Sequence, residues 1–473
     1  MKVFLFNPPG PRDKAYTREG RCTQEAGVWA TQWPPVSLTT AAALLEKDGH
    51  QVMVTDLPAS GLDKTSLEVL VKKYQPDFVF WNTGTPTLDF DLSLAGLIKR
   101  TAPKAITGVI GTHVTVLPEK ALQKPFVDII IRHEPEQIIR NICRNEGPNR
   151  QSIPGISWRD PKDGRIHHNP DEPFWDPEEI PPPAWHTLDI SPYRLPLKGR
   201  PFLIVAPVRG CPYSCNFCTA PVYYGRKLRK RPIRNVLDEI EENVSRYKIR
   251  EFFIWADTFT ADRDYVKQFC RAIMERNLRI SWTCNSRVDT VDSETLALMK
   301  EAGLWMISFG LESGNDKVLA MTGKGITVAQ SKAAVMMAHR TGLKVAGHFI
   351  LGLPGETEET MAETLALALN LPLDIAQFYV ATPFPGTKLY EEAIKGGWLP
   401  SELDPNLSQD RAFMELPGLS TEKVNSFRRM AYKKFYIRPG ILFGLLSMLE
   451  WGAISHFSLN LRRFLRYNFR SSF

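Results

Sequence analysis

The sequence predicts an α/β protein that contains two parallel β-sheets, a proline-rich segment between them and a basic helical tail. Two series of short strands rich in Val, Ile and Phe alternate with amphipathic helical patterns, which is typical of parallel sheets covered by helices. The length of 473 residues exceeds what a single hydrophobic core usually supports, so we expect more than one domain. The hydrophobic content of 43% and the charged content of 23% are typical of a folded soluble protein.

The first series occupies residues 1–148 and predicts a doubly wound, flavodoxin-like (Rossmann-type) domain. Its predicted strands are KVFLF, HQVMVTDL, PDFVFWNT, KAITGVIG and VDIIIRHE. No G-x-G-x-x-G motif follows the first strand, so a dinucleotide site is not indicated. Ligands of such sheets bind at the carboxyl ends of the strands. Those ends carry NPPG, DLPASG, NTGT and GTHVT.

The second series occupies residues 197–418 and predicts a partial (β/α)6 barrel of the TIM type. Residues 149–196 precede it and hold ten prolines, which is typical of an ordered, extended linker. The six predicted strands are PFLIVAPV, EFFIWADT, RISWTCNS, GLWMISFGLES, KVAGHFILG and DIAQFYVAT. In such a fold the chemistry is expected on the loops that follow the strands.

The basic charge of the chain lies in its tail, residues 419–473. From Thr421 onward ten Lys and Arg residues stand against two acidic residues, which gives +8, whereas the whole chain carries +7. The rest of the chain is therefore close to neutral, and nucleic acid is not an expected partner.

Three of the seven cysteines lie in one loop, RGCPYSCNFC, with the spacing C-x3-C-x2-C. The chain opens with MKVFLFNPP, which has no secretory h-region, so we expect a reducing cytoplasm, where clustered cysteines bind metal. Cys211, Cys215 and Cys218 are expected to hold an iron–sulfur cluster with one open iron position. A zinc site completed by Cys270 or Cys284, or three unrelated thiols, are the alternatives.

This spacing after the first strand of the second series resembles the radical S-adenosylmethionine (radical SAM) enzymes. Further segments support the resemblance: FFIWADTFT, SFGLESG, HFILGLPGET and PFPGTKLY. The resemblance implies a [4Fe-4S] cluster on the three cysteines, with S-adenosylmethionine on the open iron. It also implies cofactor contacts from five residues: Phe217, Asp257, Glu312, Ile350 and Gly352. Asp257 departs from the commoner Gly-Gly-Glu of the family.

Two of these expected contacts have alternatives in the sequence itself. Arg287 is a candidate clamp for a carboxylate of the cofactor, or it pairs structurally with Asp289. Glu312 contacts the ribose or the amino group, or it caps the helix that begins near ESGND.

The first domain resembles the cobalamin-dependent class of radical SAM enzymes, which includes the anaerobic magnesium-protoporphyrin ester cyclase and hopanoid-modifying proteins. PPVSLTTAAALLEKDGHQVMVTD, GTHVT and HEPEQ carry this resemblance. It implies cobalamin contacts from Gly84, Gly111, His113 and Thr115, although ordinary turn glycines and a loop histidine are the alternative. Soluble cobalamin methyltransferases use D-x-H-x-x-G, whose histidine ligates cobalt. Here Pro58 stands at that position, so we expect cobalamin with no imidazole below the cobalt, and His113 in contact without coordination.

The resemblance implies an enzyme in which a 5′-deoxyadenosyl radical activates an unactivated carbon. Methylation of a small hydrophobic, lipid-like or tetrapyrrole-like substrate through methylcobalamin is the first expectation. Oxidative cyclisation or ring remodelling is the alternative. A non-catalytic cobalamin sensor is a more distant alternative, because a sensor is not expected to keep the adenine and ribose segments. A reductant protein such as flavodoxin or ferredoxin is an expected partner.

The tail combines leucines, aromatic residues and arginines, but Glu450 and His456 interrupt its apolar run. A spanning helix needs about 20 apolar residues, so an amphipathic helix on an anionic membrane surface is expected instead. We therefore expect a cytoplasmic protein, peripheral at the inner face of the membrane. The alternative is a helix packed over the mouth of the barrel.

Overall fold

The first sheet has the flavodoxin-like strand order that the sequence predicts. The computed structural model describes residues 1–11, 14–20, 22–25, 32–145, 149–399, 407–450 and 452–453. The sheet order is β4-β1-β5-β6-β7-β8-β9, and the first five strands are parallel. Counted along the chain, these five parallel strands have the order 2-1-3-4-5. The elements are β1 Lys2–Asn7, β2 Tyr16–Glu19, β3 Cys22–Glu25, α1 Val36–Lys47, β4 Gln51–Asp56, α2 Lys64–Tyr74, β5 Phe78–Asn82, α3 Leu88–Thr101, β6 Ile106–Ile110, α4 Thr112–Val116, α5 Pro118–Leu122, β7 Ile129–Ile131, α6 Pro135–Arg144, β8 Ile156–Arg159 and β9 Ile166–His168.

The apolar runs form strands here because both faces of the sheet are buried. Along β1, Val3 and Leu5 join one core, whereas Phe4 and Phe6 join the other. The core that contains Val3 continues without a break into the second half of the chain. The two sheets therefore share one hydrophobic core.

The proline-rich segment contributes a hairpin to the first sheet, which its composition does not reveal. Strands β8 and β9 lie within residues 149–196, and β8 pairs antiparallel with β7. Farther along, Trp185 and Tyr193 are fully buried. This segment is thus packed on both halves of the chain, and its prolines shape an ordered path.

The second sheet has six parallel strands in chain order, β10-β13-β14-β15-β16-β17. Among the described residues β10 and β17 are its two edges, so the sheet is open and a closed barrel is not formed. The elements are β10 Phe202–Val205, β11 Val208–Arg209, α7 Ala220–Tyr224, β12 Arg229–Lys230, α8 Ile233–Tyr247, β13 Glu251–Ile254, α9 Arg263–Glu275, β14 Ser281–Ser286, α10 Ser293–Glu301, β15 Leu304–Glu312, α11 Asp316–Met321, α12 Val328–Arg340, β16 Lys344–Leu351, α13 Glu358–Asn370, β17 Ile375–Val380, α14 Lys388–Lys395, α15 Thr421–Tyr436 and α16 Pro439–Ser447.

Helix α15 covers the edge strand β17. The Tyr436 hydroxyl donates to the Ala376 carbonyl, and the Arg428 guanidinium donates to the Phe378 carbonyl. The Tyr432 hydroxyl accepts from the Phe378 amide. These side chains satisfy backbone groups that an uncovered edge would expose.

Helix α16 lies at the start of the strands of the second sheet, opposite to the loops that follow them. Its Leu445, with Met448 and Leu449 after it, packs on a small cluster that contains Ala346 and Ile375. The tail thus packs on the sheet, but at the end opposite to the mouth, so the expected helix over the mouth of the barrel is not what α16 forms. No described helix has the length and apolar content needed to cross a membrane.

Candidate active site

The three loop cysteines lie between β11 and α7, at the carboxyl end of the second sheet. Cys211 is buried, and its Sγ lies 3.4 Å from the Thr258 hydroxyl, which follows β13. The Cys218 Sγ accepts a hydrogen bond from the Ala220 amide. The Asn216 amide donates to the Thr322 carbonyl after α11, so the loop is held against its neighbours without any bound group.

The arrangement of the cysteines fits an iron–sulfur cluster better than a single zinc ion. In the described part of the chain, the three Sγ atoms are not all within 4.8 Å of one another. Thiolates on one tetrahedral zinc lie about 3.8 Å apart, since each Zn–S bond is about 2.3 Å. Cys270 and Cys284 are fully buried on α9 and β14, and burial raises the pKa of the Cys270 thiol to about 12. A separation beyond 4.8 Å between at least two of the three loop sulfurs suits a group larger than one zinc ion.

A buried arginine stands against the cysteine loop. The Arg287 guanidinium forms two hydrogen bonds with the Asp289 carboxylate, at 2.9 and 2.8 Å, and a third with the Lys324 carbonyl. Its remaining Nη1 lies 3.9 Å from the Cys215 Sγ, and its Cζ lies 3.6 Å from the centroid of the Tyr213 ring. The pairing with Asp289 is the one that the sequence offered as the alternative to a carboxylate clamp.

Glu312 occupies the end of β15 in a left-handed backbone conformation, with φ of 63°. It is buried and forms an ion pair with Lys324, whose ammonium also donates to the Gly310 carbonyl at 2.7 Å. The cap of α11 is Asn315, which accepts from the amides of Lys317 and Val318, so the helix-cap interpretation of Glu312 is wrong. Residues in such a conformation are common at functional sites.

The loop after β16 contains a buried carboxyl group that sequence reasoning missed. Glu356 accepts hydrogen bonds from the amides of Gly352 and Leu353, at 2.6 and 3.0 Å, and its second oxygen has no partner. Burial raises the pKa of Glu356 to about 8, which keeps this carboxyl group protonated at neutral pH. Gly352 has φ of 76°, and Ile350 is buried two residues before it. The only signal in the sequence was the position of Glu356 inside HFILGLPGET.

The remaining two predicted cofactor contacts of the second sheet lie at the same end. Phe217 is half-buried against the main core, and Asp257 is half-buried beside Thr258 after β13. The Thr258 hydroxyl donates to the Asp257 carbonyl at 2.7 Å. The structure thus brings the predicted residues of the second sheet to its carboxyl end.

In the first sheet, the predicted cobalamin residues follow β5 and β6. Gly84 and Gly111 allow close approach of protein backbone, because an added Cβ would lie 2.0 Å from Thr23 and 2.2 Å from the Thr83 carbonyl. The Thr115 hydroxyl donates to the Gly111 carbonyl and accepts from the His133 amide. Gly84, Gly111 and Thr115 therefore hold the conformation of the loops on which they lie.

His113 is the exception, because one of its ring nitrogens is buried without a partner. It is 3% exposed, and its Nδ1 pairs with the Thr85 hydroxyl at 3.1 Å, whereas Nε2 has none. Burial lowers the pKa of His113 to about 4, so the ring is neutral. A neighbouring hydroxyl, that of Thr112, is buried and unpartnered as well. Unsatisfied buried polar atoms fit a polar ligand such as cobalamin.

His113 stands between two cavities. The first separates the halves of the chain and is lined by Gly84 and Pro86 on one side, and by Thr219 and Phe384 on the other. Thr219 directly follows Cys218, so this cleft joins the cobalamin loops to the cysteine loop. The second cavity lies between α3 and α5 and has a volume of about 250 Å³.

Residues 56–61, DLPASG, stand where the soluble methyltransferases have D-x-H-x-x-G, and here they have a structural role. The Asp56 carboxylate accepts from the Tyr193 hydroxyl at 2.8 Å and from the Ala59 amide. Burial raises the pKa of Asp56 to about 6. Because Tyr193 belongs to the proline-rich segment, this loop ties that segment to the first sheet, and Pro58 offers no ligand atom.

A buried group of charges, which sequence reasoning also missed, joins the two halves of the chain. Arg209, two residues before Cys211, contacts the Glu136 carboxylate at 2.6 and 3.3 Å. Arg229 forms an ion pair with Glu134, which also lies 3.6 Å from Arg209. HEPEQ is therefore an interdomain segment. Its only signal in the sequence is a pair of glutamates separated by one proline.

Comparisons with known proteins agree with this geometry. Residues 205–368 match the model of the radical SAM superfamily, and residues 26–142 match that of the B12 binding domain. An uncharacterised methyltransferase of Pyrococcus horikoshii is 31% identical over 93% of this chain and 94% of its own length. The anaerobic magnesium-protoporphyrin IX monomethyl ester cyclase of Rubrivivax gelatinosus is 29% identical over 77% of this chain and 67% of its own length.

A solved structure has the same fold. The radical SAM methyltransferase TsrM of Kitasatospora setae, with cobalamin and a [4Fe-4S] cluster bound, superposes with a TM-score of 0.72. The match covers 98% of this chain and 99% of that one at 17% identity. The two domain types and their order thus define the class of radical SAM enzymes with an amino-terminal B12 domain. The chain belongs to the cobalamin-dependent radical SAM enzymes, in the family of the Pyrococcus methyltransferase.

Proposed function

We propose that the protein is a methyltransferase that acts on an unactivated carbon of a small molecule. The cleft between the two domains carries the proposal, because Gly84 and His113, two predicted cobalamin contacts, line it together with Thr219, which follows the last cysteine. The methyltransferase relative over nearly the full length supports the same reaction class. When bound, the cluster and S-adenosylmethionine supply a carbon-centred radical, and cobalamin supplies a methyl carrier.

The residues of this chain hold and enclose these groups. Cys211, Cys215 and Cys218 would ligate the cluster, with Glu312 and the loop at Gly352 against S-adenosylmethionine. On the cobalamin side, His113 offers a neutral ring nitrogen to a polar group in the cleft. The cavity between α3 and α5 is large enough to receive part of the cofactor, and it adjoins the same histidine.

In this proposal Glu356 fixes the loop at Gly352, which contacts S-adenosylmethionine, from the side of the loop that faces away from the cofactor. Its protonated carboxyl group keeps an O–H donor, while its other oxygen holds the amides of Gly352 and Leu353. A neutral group suits this place, because an ionised carboxylate there would be buried without a cation.

A polar row in the second sheet supports a substrate that carries at least one hydrogen-bonding group. On the face opposite to α15, His348 stacks on Tyr379 with ring centroids 5.9 Å apart, and Gln377 bonds to both side chains. Burial lowers the pKa of His348, which keeps the ring neutral. These side chains are half-buried, whereas Phe349 and Phe378 on the other face are fully buried. The substrate, which the sequence predicts to be hydrophobic, would then also carry a polar group that forms hydrogen bonds with these side chains.

The reaction is tested by comparing metabolites of cells that contain or lack the protein, grown with methyl-labelled methionine. A compound that carries one labelled methyl group should disappear when the gene is removed, and should not return with Cys215→Ala. A compound that instead differs by two hydrogens would support oxidative cyclisation, which the Rubrivivax relative makes the second candidate.

We also propose that a small acidic electron-transfer protein, such as flavodoxin or ferredoxin, reduces the cluster. Support comes from the exposed Arg226 and Lys227, which adjoin the exposed Pro212 and Ser214 of the cysteine loop. The rate of cluster reduction by ferredoxin should fall as salt rises and should fall with Lys227→Glu. A rate that neither change affects would contradict this docking surface.

For the tail, we propose peripheral contact with an anionic membrane surface. Support comes from α16, where Leu442, Phe443 and Leu446 are 49%, 75% and 59% exposed. The basic residues of the tail add charge of the right sign, worth about 1 kcal/mol per Lys or Arg near the surface. Residues 454–473, on which part of the sequence prediction rests, lie outside the described residues.

Vesicle sedimentation tests this contact. Full-length protein should bind phosphatidylglycerol vesicles at low salt, and the double variant Phe443→Glu and Leu446→Glu should bind less. These two side chains do not pack on the sheet, so the variant is preferable to a truncation. Equal binding of both proteins, or binding of neither, would leave α16 as a packing element only.

A further inference from the structure

We infer that Arg287 sets the reduction potential of the cluster through Cys215. The inference rests on the proposed cluster and gives the arginine a positioning and electrostatic role in place of the predicted carboxylate clamp. All its guanidinium nitrogens are engaged by the protein: Nε and Nη2 by Asp289, Nη2 also by the Lys324 carbonyl, and Nη1 toward the Cys215 Sγ. No nitrogen is left for a bidentate contact with a cofactor carboxylate.

The placement of the guanidinium is fixed from several directions. The Arg287 Cζ lies 3.6 Å from the centroid of the Tyr213 ring, which belongs to the cysteine loop, and Arg287 is 6% exposed. Asp289 and the Lys324 carbonyl bind the edge that faces away from the thiol. The positive Nη1 edge is therefore held toward Cys215 while the negative partner stays on the far side.

This polarity has a definite electrochemical consequence. Hydrogen bonds to the cluster sulfurs and the net charge around them are two of the factors that set the potential of such clusters. A positive edge beside a ligating sulfur favours the reduced cluster, which carries one more negative charge, and raises the potential. Removing the arginine should lower the potential. Removing the negative partner, with the arginine left in place, should raise it.

The measurement is the midpoint potential of the reconstituted full-length protein without S-adenosylmethionine, followed by electron paramagnetic resonance. Arg287→Leu should lower the ratio of reduced to oxidised cluster about tenfold at a fixed potential, which is about 59 mV for one electron. Arg287→Lys, which keeps the charge but not the fork, should shift the potential less. Asp289→Asn should shift it in the opposite direction, which a purely structural role would not produce.

A matched control exists on the same loop. Arg226 donates to the Ser214 hydroxyl at 3.0 Å and to the Tyr213 carbonyl, but it is exposed and contacts no cysteine sulfur. Arg226→Leu should shift the midpoint potential far less than Arg287→Leu does, because solvent screens its exposed charge. A shift as large as that of Arg287→Leu would attribute the effect to loop packing and overturn the inference.

Iron content and visible absorbance, measured first, separate this inference from the proposed function. Wild-type protein that forms no cluster would refute the proposed function. Variants that keep the cluster with unchanged potential would refute only the role of Arg287. If Arg287→Leu weakens S-adenosylmethionine binding without any shift in the potential, Arg287 is a cofactor clamp and the inference is wrong. If Arg287→Leu fails to assemble a cluster, Arg287→Lys and Asp289→Asn still decide the sign of the effect.

Discussion

Replacement of Arg209 by methionine should destabilise the protein by about 3–5 kcal/mol, because it strands a buried carboxylate. Arg209 is 7% exposed, and Glu136 is 1% exposed with no other cation paired to it in the described residues. Glu134 keeps Arg229 as its partner. The loss therefore comes chiefly from Glu136, which must remain charged without a partner or take up a proton.

Equilibrium unfolding in urea, followed by tryptophan fluorescence, measures this cost, and a double-mutant cycle isolates the pair. Arg209→Met combined with Glu136→Met should recover most of the stability, because a buried pair can be exchanged for apolar residues at little net cost. The control is Arg246→Met, which breaks an exposed ion pair with Glu242 at 3.2 Å and should cost at most about 1 kcal/mol. A loss for Arg209→Met no larger than that of the control would refute the reasoning that the interface depends on this ion pair.

Three further predictions concern the cofactors and the loop at Glu356. Protein reconstituted without oxygen should hold about four irons, and Cys215→Ala should lose both the iron and the cleavage of S-adenosylmethionine; stoichiometric zinc without visible absorbance would contradict the cluster. Bound cob(II)alamin should be base-off and show no nitrogen superhyperfine splitting in its electron paramagnetic resonance spectrum, because Pro58 replaces the ligating histidine; splitting from any axial nitrogen, of a histidine or of the cofactor's own base, would contradict this prediction. Since Glu356 has a raised pKa of about 8, its contribution to stability is complete below the unfolded value of about 4.5 and is lost as pH rises through 8. Between these two pH values the free energy of unfolding of the wild type should fall by about 1.4 kcal/mol per pH unit, and Glu356→Gln should remove this fall. Unfolding measured at several pH values tests this, and parallel pH profiles of the two proteins would contradict the assignment.

The fold could be predicted from the sequence because its strands are short and continuously apolar. Runs such as KVFLF and VDIIIRHE specify buried strands, and the helices between them require parallel pairing. The hairpin of β8 and β9 could not be predicted, because ISWR and IHH are short and mixed in polarity. Their pairing depends on the edge of β7, which is a tertiary feature.

The candidate site was predictable where a motif is local, and less so where charges meet across the fold. Cys211, Cys215 and Cys218 lie within eight residues, so their spacing alone predicts a candidate cluster site. The partner of Arg209 lies on another segment. Glu136 is 73 positions from Arg209, and nothing in the local sequence joins them.

The roles of two predicted residues depend on side-chain geometry that sequence cannot supply. The sequence around Arg287 is compatible with a clamp and with a pairing to Asp289, and only the positions of its nitrogens show which groups it engages. The helix-cap alternative for Glu312 was decided by Asn315, which has the correct distance to the first turn of α11. His113 was expected as a cofactor contact, and its unpartnered Nε2 keeps that prediction open to test.

The most direct test of the central claim is the fate of the methyl group of S-adenosylmethionine in the purified enzyme. The reconstituted protein, with cobalamin and a reductant, is given S-adenosylmethionine that carries a carbon-13 methyl group, together with a small-molecule extract from cells that lack the protein. The account predicts one new product that is heavier by a single labelled methyl group in place of hydrogen, formed only when cobalamin is present. A product that lacks two hydrogens and carries no label, formed while S-adenosylmethionine is cleaved, would contradict methyl transfer.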